Sequence, residues 1–165
     1  MSIRDTIVLN PTDLKYLLID SLRLYSDNVE FISGKNPYKF SINKKCIYIL
    51  IKNVHESGAN RGNEDECRIQ ISKSKNFNEA LSSNNEVVVF GYFADEKVFT
   101  AWNPYWLRER FNKRQTISKY SRFSVQRKAS TEGIASYIDN NDETIISFKP
   151  DYLGLYLDNI SNIHL

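Results

Sequence analysis

Short runs of alternating apolar and polar residues, each cut off by a turn signal, limit this chain to a fold built on strands. Successive side chains of a strand point to opposite faces, so such runs describe strands with one buried face. Cys67, Ile69 and Ile71 alternate with Glu66, Arg68, Gln70 and Ser72. Val29 and Phe31 do the same before Asn36-Pro37, and Tyr38, Phe40 and Ile42 after it. Lys45–Asn53 (KCIYILIKN) and Glu86–Phe93 (EVVVFGYF) are more continuously apolar and read as central strands. Asp95-Glu96-Lys97 turns the second of these into a hairpin partner at residues 98–102, and Thr144–Phe148 reads as a last strand. Residues 56–64 (ESGANRGNE) form a loop by composition.

Helical spacing is sustained once. Leu14, Leu17, Leu18, Leu22 and Tyr25 follow Asn10-Pro11-Thr12-Asp13, with Thr12 the expected cap. Shorter helices are expected at residues 76–81, at Pro104–Phe111 where Pro opens the first turn, at 129–138 and at 152–157. Strands do not alternate with long helices, so a doubly wound parallel sheet fits poorly. Six to eight short, mostly antiparallel strands with two to four short helices give an α+β fold on a curled sheet or partial barrel. The 165 residues show no repeat and no linker, so a single domain spans 1–165.

Cys46 and Cys67 are the only cysteines, without a CxxC spacing or a nearby His, and are expected as reduced thiols. No apolar stretch approaches a membrane span and the first residues lack a signal-peptide run, so a cytoplasmic protein without membrane contact is expected.

Charge is concentrated. Residues 108–128 carry eight cations against Glu109, a net +7, while the whole chain carries +2, so the remainder sums to −5. Tyr120, Phe123, Gln115, Gln126, Ser118, Ser121 and Ser124 are interleaved with those cations, in place of acids at salt-bridge spacing. Such donors suit phosphates and base edges. The same run would also serve as a solvated face or as a flank for an acidic protein partner. A second constellation joins Asn60, Arg61 and Asn63 on the glycine-rich loop to Arg68 and Gln70 on the following strand. Arg pairs bidentately with guanine, and Asn or Gln with adenine. Glu64 and Glu66 could accept from cytosine or orient the arginines.

Catalytic signals are thin. His55 and His164 are the only histidines, and neither stands in a Ser/His/Asp or zinc-binding pattern. Gly58 and Gly62 are followed by no Lys-Ser/Thr pair, so no phosphate loop of the GxxxxGK type is present. No catalytic residue, metal ligand or cofactor is assigned. Two alternatives stay open. Glu64-Asp65-Glu66 and Asp95-Glu96-Lys97 would be the carboxylates of a metal-dependent nuclease, and Trp102, Trp106 and Tyr120 would line the pocket of a base-flipping reader of modified cytosine.

The run Arg61-Gly62-Asn63-Glu64-Asp65-Glu66-Cys67-Arg68-Ile69-Gln70-Ile71 resembles the "RG…E-x-R-I-Q" segment of DNA-binding domains in restriction systems. Gly91-Tyr92 and Val98-Phe99-Thr100-Ala101-Trp102-Asn103-Pro104 are similar to their later "GY…F-x-A-W-x-P" hairpin. The family is the plant-type B-three pseudobarrel, which also supplies the recognition domains of the restriction enzymes EcoRII, BfiI and NgoAVII. Within it the likeness points to the N-terminal domain of LlaJI-type, McrB-related restriction subunits. The resemblance covers roughly residues 48–128. It implies a seven-stranded open pseudobarrel that grips the major groove of double-stranded DNA with two arms. One arm would hold Asn60, Arg61, Asn63, Arg68 and Gln70. The other would hold Lys113, Arg114, Gln115, Ser118, Lys119, Tyr120, Ser121 and Arg122. Lys73, Lys75, Arg110, Arg127 and Lys128 would flank them on phosphates. It also implies a nucleotide-hydrolysing motor domain in the full-length protein and a separate nuclease subunit as partners.

Overall fold

A computed structural model describes residues 7–58 and 61–165. Helix α1 (Pro11–Tyr25) opens the fold. Its cap is Asn10 and not Thr12: the Asn10 side chain accepts from the Asp13 amide at 2.8 Å. Pro11 fills the first helical position, where its missing N–H costs nothing. Strands β1 (Val29–Ser33), β2 (Tyr38–Ile42) and β3 (Lys45–Asn53) follow as an antiparallel meander.

The chain then leaves this sheet through β4 (His55–Glu56), β5 (Glu66–Ser72) and helix α2 (Lys75–Ser82), and returns as β6 (Glu86–Phe93). Strand β6 lies parallel to β3, in register from Ile47 opposite Glu86 to Asn53 opposite Tyr92. Strand β7 (Val98–Ala101) closes the expected hairpin on β6. Helix α3 (Pro104–Phe111), strand β8 (Thr116–Arg122), helix α4 (Phe123–Glu132) and strands β9 (Ile134–Ile138) and β10 (Thr144–Phe148) come next. A 3-10 turn at Pro150–Tyr152 leads into α5 (Leu153–Asp158) and α6 (Ile160–His164).

The architecture is α+β. A seven-stranded open sheet runs in the order β1-β2-β3-β6-β7-β10-β9, antiparallel except at β3–β6. A second sheet of three strands, β4-β5-β8, lies outside it. Alternation along β6 explains the layering. Val88, Phe90 and Tyr92 face one core with α1 residues Leu14, Leu18 and Leu22 and with Phe99, Phe148 and Tyr156. Val87, Val89 and Phe93 face a second core with Cys67, Ile69 and Ile71 of β5, Ile117 of β8 and Phe123 of α4. At Gly91 a β-carbon would stand 2.8 Å from Val54 Cγ1 and 3.2 Å from Ile69 Cγ2, so its missing side chain lets the small sheet approach the large one.

Residues 129–138 are not one helix. The helix begins earlier, at Phe123, and stops at Gly133, whose φ of 95° is left-handed. Residues 134–138 then pair with β10. The start of α4 has no cap from its own neighbour Arg122. Asp65 caps it from across the fold: its carbonyl accepts from the Phe123 amide at 2.8 Å, and its carboxylate accepts from the Ser124 amide at 2.8 Å and from the Ser124 hydroxyl at 2.5 Å. Trp102, expected as a base-pocket wall, is fully buried, and its indole N–H donates to the Tyr120 carbonyl at 2.8 Å. A large aromatic at the foot of β7 stabilises more as core, with its one donor satisfied, than as an open platform.

Candidate nucleic-acid interface

The two segments expected as separate arms form one sheet. Strand β5 pairs antiparallel with β8 over its whole length, Glu66 opposite Arg122, Arg68 opposite Tyr120, Gln70 opposite Ser118 and Ser72 opposite Thr116. Strand alternation sends all eight of these to the outer face. The intervening positions Cys67, Ile69 and Ile71 of β5 and Ile117, Lys119 and Ser121 of β8 point inward and are buried. His55 on β4 extends the outer face opposite Arg68, a neighbour that local sequence reading had no means to place there.

Side-chain contacts fix this face. Ser72 and Thr116 hydroxyls bond at 3.0 Å. Lys52 donates to the Gln70 carbonyl at 2.8 Å and so ties β5 to the end of β3, with burial lowering its ammonium pKa. Arg61, arriving from the loop, donates its Nε and Nη2 to the two carboxylate oxygens of Glu66 and lies 3.9 Å over the Tyr120 ring. The Arg61 hydrogen bond holds the Glu66 carboxyl below the usual carboxylate range, against the opposing effect of partial burial. Arg122 stacks over Tyr137 of β9 at 4.6 Å, a platform with no signal in the sequence.

Cations gather beyond both ends of this ribbon. Lys113 and Arg114 are exposed just before β8. Arg61, Arg122 and Arg127 cluster at the opposite end, where Arg127 also stands 3.7 Å from Asp65. Thr116, next to the first group, and Arg122, in the second, are six steps apart on β8, about 20 Å at roughly 3.4 Å per residue. The centre carries Arg68, Tyr120, Gln70 and Ser118, which offer hydrogen-bond donors and acceptors.

Not every expected residue reaches this surface. Lys119 points inward and donates to Glu143 Oε1 at 2.5 Å, while Glu143 Oε2 accepts from the Asn103 amide at 2.8 Å. Ser121 is also buried, bonded to Cys67 Sγ at 3.1 Å and accepting from Gln126 Nε2 at 2.8 Å. Alternation forces this: residues two apart from Ile117 share its inward face. Burial pushes the Cys67 thiol up to about 11, which leaves it inert. Lys73 donates to the Phe111 carbonyl at 2.6 Å and caps the end of α3, and Gln115 donates to the Lys73 carbonyl at 2.7 Å. Arg108, first of the basic run, is consumed by the carbonyls of Leu81 and Asn85 at 2.5 and 2.9 Å. Asn63 is exposed and its side chain accepts from the Asp65 amide at 3.0 Å. Asn60 lies outside the described residues.

Three of the five carboxylates weighed for a nuclease have other partners: Asp65 caps α4, Glu66 holds Arg61, and Asp95 accepts from the Ile7 amide at 2.8 Å. Among the described residues no group of three His, Cys, Asp or Glu side chains could hold a metal ion. Among them, too, no helix is long and apolar enough to cross a membrane.

A family model described as methylase-associated X1 matches residues 45–157, from the first residue of β3 into α5, and so takes in both strands of the ribbon. Neither a curated protein nor a solved structure matches the chain. With more than half of its length covered, the chain belongs to the methylase-associated X1 family, which is linked to restriction–modification systems.

Proposed function

We propose that this chain is a site-specific double-stranded DNA-binding domain, the targeting module of a restriction–modification complex. The observation that carries the reading is the pairing of β5 with β8. It merges two polar segments, some fifty residues apart in sequence, into one two-stranded ribbon with cations at both ends. The major groove, about 12 Å wide, admits a two-stranded β-ribbon whose outer face reads base edges while flanking cations meet the phosphates on either side. The likeness of residues 61–71 and 91–104 to the B-three domains of restriction enzymes supports the same reading, as does membership of a methylase-associated family. In the full-length protein the domain would act beside a nucleotide-hydrolysing motor of the LlaJI and McrB kind and with a nuclease subunit, to which it contributes sequence choice. No catalytic step is assigned to its own residues.

Selection from a random duplex pool, with bare and methylated strands in parallel, tests this. A defined site is expected to emerge. Lys113→Ala should then weaken binding to every sequence alike and lower the slope of log K against log salt by about one. Arg68→Ala should cost on the order of 1–3 kcal/mol at the selected site and relax the preference at one position. Failure to retain any duplex at physiological salt would overturn the reading.

A further inference from the structure

We infer that Arg61 reads a single guanine through the outer end of its guanidinium, and that Glu66 and Tyr120 are the positioning residues that aim it. The inference rests on the duplex-binding reading and deepens it by naming a base and the chemistry that selects it.

The guanidinium has five N–H donors in a fixed plane. Arg61 uses Nε and one N–H of Nη2 on Glu66, pairing side-on with both carboxylate oxygens, the second at 3.2 Å. Three N–H groups remain, and the outer one on each of Nη1 and Nη2 forms a parallel terminal pair pointing away from Glu66. Two parallel donors at that spacing match O6 and N7 of guanine in the major groove. Adenine places a donor amine where guanine has O6, so the same fork rejects it. The ring of Tyr120, 3.9 Å from the guanidinium carbon, fixes the plane in which the fork lies. Both positioning residues sit on the paired strands, Glu66 opposite Arg122 and Tyr120 opposite Arg68, so the guanidinium is referenced to the ribbon and not to the loop that bears it.

The Arg61 side chain keeps 45 % of its surface exposed despite these contacts. A surface ion pair of this kind contributes little to stability. Its effect is orientation: the fork is ordered before a ligand arrives, which lowers the entropy lost on binding.

The test uses the selected duplex and a variant of it in which the guanine facing Arg61 is replaced by 7-deazaguanine, which lacks the N7 acceptor. The wild-type chain should lose affinity for the modified duplex by roughly threefold to tenfold, because O6 remains and one bond of the bidentate pair is lost. Arg61→Met, which keeps an apolar stem and has no donor, should bind both duplexes equally. Glu66→Gln and Tyr120→Ala should each shrink the 7-deazaguanine penalty by several-fold, while circular dichroism melting shows an unchanged fold. An undiminished penalty in Glu66→Gln, or an unchanged base preference in Arg61→Met with duplex binding intact, would overturn the clamp and leave the duplex reading standing. Loss of all duplex retention by the wild-type chain would instead sink the reading beneath it.

Discussion

The two cores on either side of the seven-stranded sheet share an apolar filling and differ in the polar groups buried with it. The α1 side is a stack of aromatic and aliphatic side chains: Phe90, Phe99, Phe148 and Tyr156 meet with ring centroids 5.2 to 6.0 Å apart, over Leu14, Leu18 and Leu22. The side that carries the small sheet includes buried polar groups. Gln126 donates to Ser121, Thr100 and Cys67, Thr100 bonds Ser147 at 2.8 Å, and Lys119 pairs with Glu143. Apolar contact is non-directional and tolerates small slides. Polar contacts have fixed partners, and a slip leaves each one unsatisfied. Both cores therefore supply stability, and the second also fixes where the outer ribbon sits on its support.

The largest effect should come from hollowing the first core. Phe148→Ala removes a fully buried ring from the aromatic stack and should cost about 3–5 kcal/mol in urea unfolding. A loss under 1 kcal/mol would show that this side is not a reservoir of stability.

Next comes the buried pair in the second core. Lys119→Met leaves the Glu143 carboxylate with the Asn103 amide alone and should cost about 3 kcal/mol. Adding Glu143→Gln removes the unpaired charge and should restore most of that loss, because an uncharged replacement of similar volume needs no ionic partner. If the double variant is as unstable as the single, the pair is not acting through desolvation of a lone charge.

The smallest effect concerns acid. At the rim of the first core His164 is buried, its Nε2 2.9 Å from the Tyr156 hydroxyl and its Nδ1 3.1 Å from the Thr144 carbonyl. Burial pushes its pKa down to about 4, with the Thr144 contact opposing. A folded-state pKa below the unfolded value means the unfolded chain binds the proton first. The stability this group contributes is therefore complete above about pH 6.5 and is lost as pH falls toward 4. Melting followed between pH 7 and pH 4.5 should slope downward, and His164→Gln should flatten that slope. An equal slope in both proteins would assign the acid sensitivity elsewhere.

Much of the scaffold was readable because its strands obey their period. Lys45–Asn53 and Glu86–Phe93 emerge with the boundaries read from the sequence, and Thr144–Phe148 does too. Strand β8 was not readable as a strand. Its inward positions are Ile117, Lys119 and Ser121, and two of the three are polar. Their partners, Glu143 on one side and Cys67 with Gln126 on the other, are distant in sequence, so nothing local marks them as buried. Helix α4 was misplaced for the same reason, since Asp65, which caps it, lies 59 residues before Ser124. Of the candidate interface, Arg61, Arg68, Gln70, Ser118, Tyr120 and Arg122 are legible, while the inward turn of Lys119 and Ser121 and the grouping of the rest are not. Composition singled out both segments, but the hydrogen-bonded pairing that sets Arg68 beside Tyr120 depends on chain separation that no motif encodes.

If the ribbon reads duplex DNA as proposed, that pairing also bears on how such a protein could change its target. The outer face is a grid of four rows, Glu66 with Arg122, Arg68 with Tyr120, Gln70 with Ser118 and Ser72 with Thr116. Each row can be rewritten without touching a buried side chain, because the strand period keeps the inner and outer alphabets apart. On the proposed duplex-binding reading, new specificities would be reachable by single substitutions on an undisturbed support, which would make the ribbon a surface suited to rapid diversification.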